Sequence, residues 1–355
     1  MYESRRVVTV RTERKFRRYA DWVEPKCELY ATLSRATAED RRLLEIAREA
    51  RPEQPEPELL LAAVHSLLLD GKEHRLRAFY PSCAGTPPED SPVSSFRDFC
   101  LTYETELRRI IRTRRCQTND VGRSAVLRPA FEHVANTTGA ETVAQLEIGT
   151  SAGLNLNWDR YQYDFAGVGS FGDTDSPVTI QTTVRGETRP PLSQSVPTVK
   201  HRCGVDLNVL DVTDEADARW LHALVHPNQH RRHERLAGAI EIGREHRHQL
   251  IEGDVIEELP RMLSTAPDDI PLIVFSTHVL YQLPEETIAE LRAIISCHSS
   301  TQPVHWLSID PEEALSDPTY RWVQFDDGVV KETQLATFES YGTWLNWSGA
   351  RGVQN

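Results

Sequence analysis

The sequence predicts an α/β chain, a mostly parallel, doubly wound sheet preceded by a helical region. Three observations carry that expectation. Apolar residues in the first third recur only at helical spacing; strands and helices alternate from Val143 onward; and Ile270-Pro-Leu-Ile-Val-Phe275 is the continuous apolar run of a strand buried on both faces. With 355 residues the chain can hold one large or two modest domains.

Between Phe16 and His133 the helical spacing appears in Trp22, Val23, Leu29 and Leu33, in Leu43, Leu44, Ile46 and Ala47, and in Leu101, Leu107, Ile110 and Ile111. Breaks fall at Pro52, Pro55 and Pro57 and across Pro81 to Pro92. Residues 1–140 are therefore expected to form a helical cap region and residues 141–355 an α/β domain. In the second part, Val143 to Ile148 is a strand that runs into Gly149-Thr-Ser-Ala-Gly153 and an apolar segment, Leu154 to Trp158. Tyr161 to Phe165 and Val178 to Val184 alternate as a hairpin would, inside an insertion at about 160–200 that closes on the Pro-rich stretch Pro190 to Pro197. Strands follow at Cys203 to Leu207, Gln249 to Glu252, Ile270 to Phe275 and Val304 to Ile309. Helices are expected at Asp214 to Val225, Arg231 to Arg244 and Glu285 to Ile295. Trp322 to Phe325, the Asp327-Gly328 turn and Val329 onward read as a hairpin, which would add antiparallel strands at one edge of the sheet.

Composition excludes some functions. A net charge of −13 with 53 acidic residues disfavours broad nucleic-acid binding, which needs an excess of cations to displace phosphate counterions. Only five of the 40 basic residues are lysine, the composition of a protein adapted to a very salty cytosol, where charge is screened over ~3 Å at molar salt. The longest apolar run, Leu59 to Leu69, falls short of the ~20 residues needed to cross a bilayer, and Met1 to Tyr19 is Arg-rich without a signal peptide's apolar stretch. A cytoplasmic protein that does not engage membranes is expected. The six cysteines form no CxxC pair and read as reduced core residues.

Glu147-Ile-Gly149-Thr-Ser151-Ala-Gly153 can be read in two incompatible ways, both needing a strand, a tight turn and a helix. As GxSxG it would be a nucleophile elbow with Ser151 attacking, as in α/β-hydrolases; but that elbow normally follows several strands of its sheet, and here everything upstream is helical. As ExGxSxG it resembles the first motif of class I S-adenosylmethionine-dependent methyltransferases, with Ser151 in the place of the middle glycine. That resemblance implies a Rossmann-like sheet. It also implies that Glu147 receives the ammonium group of S-adenosyl-L-methionine, with Gly149, Ser151 and Gly153 carrying the backbone past it. Asp206 stands where the ribose acid does, Asp254 where adenine is read, and His278 after the fourth strand, near the transferred methyl group. Departures are Ser151 and the long insertion before Asp206.

The chain also resembles a group designated domain of unknown function 2332. The shared runs are similar to Thr118-Asn-Asp-Val-Gly-Arg123, Glu147 to Leu156, Trp158-Asp-Arg-Tyr161 and Gly204-Val-Asp-Leu-Asn208, so the likeness covers nearly the whole chain. It names no reaction.

Other residues have both a chemical and a structural reading. Asn119 and Arg123 precede a helix leading into the Glu147 strand and could hold an anionic or polar substrate by fork geometry, or Asn119 or Asp120 could cap the helix. His278 could act as a base or be a satisfied core group. His222, His226, His230 and His233 suggest a metal, but with no Cys or carboxylate fixed beside them a solvated helix face is expected. The run Arg108, Arg109, Arg112, Arg114 and Arg115 reads as a solvated or salt-bridged face. The functional expectation is thus a methyltransferase acting on a small-molecule acceptor, the alternatives being a serine hydrolase using Ser151 or a noncatalytic cofactor-fold binding protein.

Overall fold

The computed structural model describes residues 2–310 and 318–352. The chain forms two compact units, one of residues up to Thr118 with Thr213–His233, the other of Asn119–Val212 and Glu234 onward.

The first unit is helical: α1 (Tyr2–Val23), α2 (Glu28–Glu39), α3 (Arg41–Ala47), α4 (Glu56–Leu69), α5 (Pro81–Ala84), α6 (Val93–Thr102), α7 (Glu104–Thr113) and, much later in the chain, α9 (Glu215–Ala223). No strand occurs in it among the described residues. Helix α4 is apolar on every side, with Leu59, Leu60, Leu61, Val64 and Leu68 all buried, as befits the central helix of such a unit. Helix α7 buries Leu107, Ile110 and Ile111 and turns its arginines outward into ion pairs, Arg108 with Glu104 at 2.8 Å and Arg112 with Glu49 at 2.7 Å. Exposed pairs of this kind contribute roughly 0–1 kcal/mol each, so burial and not charge holds the helix down.

The second unit is built on one 11-stranded sheet: β1 (Thr142–Ile148), β2 (Gln162–Ala166), β3 (Gly169–Gly172), β4 (Thr179–Arg185), β5 (Thr198–Asp206), β6 (Gln249–Glu252), β7 (Leu272–Thr277), β8 (Val304–Asp310), β9 (Thr319–Asp326), β10 (Val329–Phe338) and β11 (Trp344–Gly352). Its order is β3-β2-β4-β11-β10-β9-β8-β7-β1-β5-β6. Strands β6, β5, β1, β7 and β8 are parallel neighbours. The chain builds outward from β1 to one side through β5 and β6, then returns to the other side through β7 and β8. The strand order therefore reverses at β1, and the crevice beyond the carboxyl ends of β1 and β7 is where ligands gather in open α/β sheets.

Helices cover both faces. On one, α11 (Val255–Thr265) and α12 (Glu285–His298) bring Leu259, Met262, Leu263, Leu291 and Ile295 against Leu146, Ile148, Val205 and Val274. On the other, α8 (Ser124–Thr138) and a 3-10 turn over Leu154–Arg160 pack inward, with Phe131 against Trp158 and Phe275. Helix α10 (His230–Glu245) buries Leu236, Ala239, Ile240 and Ile242. No helix among the described residues is long and apolar enough to cross a membrane.

Four expectations change. The units divide at Thr118/Asn119 and not near residue 140, because α8 covers the sheet while Thr213–His233 packs with the helices, α9 against α4. The segment after Gly153 is a 3-10 turn and not an α-helix. In the insertion, Tyr163 and Phe165 lie on a strand that pairs with β4 in parallel, and the hairpin partner of β2 is β3. Finally, the β9–β10 hairpin forms on its Asp327-Gly328 turn, both residues at positive φ as a two-residue hairpin turn requires, but it is not an edge: β11 follows β10 and pairs in parallel with β4. The insertion thus lengthens the sheet.

A buried ion pair ties that insertion to α8. Arg128 and Glu132, one helical turn apart and both buried, bond at 3.0 Å; Arg128 Nη2 donates to the Ser193 carbonyl at 2.7 Å and Ser193 N–H to Glu132 Oε2 at 2.6 Å. The Arg128 guanidinium also lies 5.0 Å from the Tyr163 ring centre. Removing one member strands the other charge in the interior. Glu132→Ala is expected to lower unfolding stability by about 3 kcal/mol, measured by denaturant titration, and to loosen residues 190–197 to proteolysis. The double change Arg128→Met with Glu132→Leu should recover most of that loss.

Candidate functional site

Strand β1 ends in a carboxyl group with no access to water. Glu147 is fully buried on the α8 side of the sheet, beside Gly204 on β5 and Phe275 on β7. Its Oε2 accepts from the Thr150 hydroxyl at 2.8 Å, while its Oε1 is buried without a hydrogen-bond partner. Asn155, also fully buried, presents a side-chain amide toward it, yet Nδ2 completes no hydrogen bond either. Burial pushes the Glu147 carboxyl up to about 8; the Thr150 hydroxyl, the Asn155 amide and the Arg123 guanidinium pull it down, and Asp206 pushes it up. The group is therefore mostly protonated at neutral pH in the protein alone, and a cation placed at Oε1 would ionise it.

Glycine makes room for this arrangement. A Cβ on Gly204 would fall 2.4 Å from the Thr150 hydroxyl, so only glycine at that place on β5 lets Thr150 lie over the sheet and reach Glu147. Gly149 and Gly153 both stand at φ +72, where side chains are strained, and a Cβ on Gly149 would collide with Val279. Four N–H groups of the loop, and that of Leu154 after it, are engaged within the protein. Gly149 and Thr150 donate to the Val205 carbonyl, Ser151 to Asp206 Oδ2 at 2.9 Å, Gly153 to the Thr150 carbonyl, and Leu154 to Asn119 Oδ1 at 2.9 Å. It is thus not a phosphate cradle, which needs outward-pointing N–H groups.

Asp206, at the end of β5, is fixed from both sides, Oδ2 by Ser151 and Oδ1 by the Asn208 N–H at 2.9 Å. Glu252 ends the neighbouring β6 and accepts from Val209 N–H at 3.2 Å.

At the end of β7 the chain turns sharply at His278, a non-glycine residue at φ +58. Three non-glycine residues among those described have positive φ. Asp327 belongs to the hairpin turn; the other two, Ser151 and His278, end the adjacent strands β1 and β7. Strained backbone at both lips of the crevice is a pointer to function, since the surrounding structure must hold it there. The His278 N–H donates to the Ile309 carbonyl at 2.9 Å, and its Nε2 is buried without a partner. Burial, and then the cationic Arg123, drive its imidazole down to about 3, with Asp120 opposing, so it is neutral at pH 7. Arg123 Nη1 reaches over to the Thr277 carbonyl at 3.2 Å and the Thr277 hydroxyl at 3.5 Å.

The segment carrying Asn119 and Arg123 is locked by close backbone approach. Asp120 Oδ1 accepts from Gly122 N–H, and a Cβ on Gly122 would lie 2.2 Å from the Tyr341 carbonyl while one on Gly342 would meet Gly122. Of the residues expected from sequence, Asn119, Arg123, Glu147, Gly149, Ser151, Gly153, Asp206 and His278 all gather at the carboxyl ends of β1, β5 and β7. Asp254 stands apart, exposed after β6, where it caps α11 by accepting from Ile256 N–H at 2.8 Å. Thr150, Asn155, Gly204 and Thr277 complete the cluster. Thr277 and Asn155 were visible in the sequence only as members of the runs ending in His278 and following Glu147, with no role of their own.

The four histidines near residue 225 do not form a solvated face. His226 is buried, and His222 and His233 are half-buried with stacked rings, Nδ1 to Nδ1 at 3.3 Å; only His230 faces solvent. No three His, Cys, Asp or Glu side chains among the described residues gather as a metal site would require.

A family model described as an uncharacterized protein conserved in bacteria, domain of unknown function 2332, matches residues 13–347. Among curated proteins none matches the sequence.

Glu147 makes stability depend on pH in a definite sense. Its folded value lies above the ordinary 4.5, so the native state binds the extra proton and stability falls as pH rises from near 4.5 to about 8. Denaturant unfolding at pH 5, 6.5 and 8 is expected to show the wild type losing roughly a few kcal/mol across that window relative to Glu147→Gln, whose amide does not titrate. Parallel curves for the two proteins would contradict a neutral, buried Glu147.

Proposed function

The chain belongs to the domain of unknown function 2332 family, and for this member we propose an S-adenosyl-L-methionine-dependent methyltransferase acting on a small, polar or anionic acceptor. The observation that carries the reading is the unpartnered Oε1 of Glu147, an acceptor buried at the end of the strand where the sheet order reverses. A ligand that brings a positively charged donor there would ionise the carboxyl and pair with it. The spent N–H groups of the Gly149–Gly153 loop argue against a phosphate-bearing cofactor, whereas Glu147, Asp206 and Glu252 form a row of acceptors suited to an ammonium and to sugar hydroxyls. Glu147 would hold the ammonium and Asp206 the ribose hydroxyls. Asp254 would contribute to the adenine end from its cap position. Gly149, Ser151 and Gly153 shape the loop between them.

Bound S-adenosyl-L-methionine would supply a methyl group on a sulfonium, so the chain's own contribution is placement. Arg123, held by Thr277, would orient an anionic or polar acceptor, and Asn119 would act through Leu154, from whose N–H it accepts. An imidazole held down at about 3 is a weak base at pH 7, so His278 serves better as a neutral hydrogen-bonding group that aligns the acceptor.

One observation favours a second reading. Ser151 at φ +53 has the strained backbone of a nucleophile elbow, as a serine hydrolase would need. The 3-10 turn that follows replaces the helix such an elbow leads into.

Isothermal calorimetry of the folded protein with S-adenosylmethionine and S-adenosylhomocysteine is expected to give micromolar binding, lost at least tenfold in Glu147→Ala and largely kept in Ser151→Ala. No heat with either ligand would sink the cofactor reading. Ester hydrolysis by the wild type that vanishes in Ser151→Ala would establish the hydrolase instead.

A further inference from the structure

We infer that Ser82 and His65, in the helical unit, form a nucleophile–base pair able to accept an acyl group from an activated carboxylic ester. His65 lies on α4, fully buried, with Nε2 2.7 Å from the Ser82 hydroxyl and Nδ1 3.1 Å from the Ala223 carbonyl at the end of α9. A carbonyl can only accept, so the imidazole proton sits on Nδ1, directed at Ala223. Nε2 then carries the lone pair, and the Ser82 hydroxyl must be the donor in the shorter contact. Nucleophile, base and an acceptor that orients the base are thus in line, with a backbone carbonyl in the orienting place. Tyr30 approaches Nδ1 at 3.4 Å from the side.

Burial keeps His65 neutral, down to about 3, so Nε2 holds its lone pair at any ordinary pH, and as a weak base it takes the serine proton only slowly. Ser82 itself is reachable: it is half-exposed on the four-residue helix α5, opened by Pro81, and residues 84–91 after it are exposed. On attack, Ser82 Oγ bonds to the ester carbonyl carbon and its proton passes to His65 Nε2. The carbon–oxygen bond to the leaving group then breaks, and that alkoxide takes the proton from His65. Water repeats the sequence to release the acid and regenerate Ser82. An imidazolium facing a carbonyl and not a carboxylate is poorly stabilised, so slow turnover and clear covalent capture are expected.

The test is covalent labelling of the full chain with a fluorophosphonate and with p-nitrophenyl acetate, read by intact mass and peptide mapping. One adduct on Ser82 is expected. It should be absent in Ser82→Ala and form at least tenfold more slowly in His65→Gln. The wild-type rate should stay flat from pH 6 to 8, because His65 is neutral throughout, whereas hydroxide-driven modification would rise with pH. If His65→Gln fails to fold, the pH profile and Ser82→Ala still decide. No adduct on Ser82, or a rate that climbs with pH, overturns the inference, as does labelling confined to Ser151.

Discussion

The carboxyl end of the sheet is organised around a single desolvated carboxyl group. Leaving a carboxylate fully buried is costly, and a hydroxyl from Thr150, a nearby amide from Asn155 and the field of Arg123 offset that cost only in part, so the group keeps its proton at neutral pH. Each of these partners imposes a further condition. Thr150 needs a glycine at 204, and Asn155 needs the 3-10 turn after Gly153, whose first N–H is in turn held by Asn119. Arg123 needs Gly122 and Gly342 to come into backbone contact. Four distant segments are thereby committed to one spot, which is why the glycines there tolerate no side chain.

Buried polar contacts of the same kind anchor the inserted strands. Gln145 on β1 donates to the Leu156 carbonyl and accepts from the Trp158 indole, Tyr161 donates to the Leu154 carbonyl, and Arg202 clasps Asp159 with both nitrogens. Together with the Arg128–Glu132 pair they join the loop, α8 and the start of β2 into a continuous polar seam under the site. Such a seam is favourable only when its members are satisfied, so it specifies one arrangement and penalises others. Rigid support of this kind is what a site that acts through placement requires.

The helical unit solves a different problem. Its imidazoles His65, His222, His226 and His233 are pushed by burial toward the neutral form, and His65, His222 and His233 bond to carbonyls, hydroxyls and one another. Neutral imidazoles can donate and accept at once, so they knit α2, α4 and α9 together without buried charge. That economy also poises one of them, His65, against a serine hydroxyl.

Sequence by itself determined the local features of this protein. The span Gln249–Glu252, the Asp327-Gly328 hairpin, the turn at Gly149–Gly153 and the helices of the first third follow from periodicity and from glycine's access to positive φ, which depend only on near neighbours. The gathering of Glu147, Asp206, Arg123 and His278 was also legible, because parallel strands place their ends on one side of a sheet. Partner choice was not. Alternation in Tyr163 and Phe165 fixes which face is buried but not whether the neighbouring strand runs parallel, and nothing local told that β11 would continue into β4 or that Thr213–His233 would leave the α/β unit for the helices. Nor did spacing reveal that the histidines near 225 turn inward, or that Asn119 caps a turn 35 residues away. Those outcomes belong to tertiary structure, because they depend on which distant surfaces exclude water from each other, and that is settled only when the whole chain has closed.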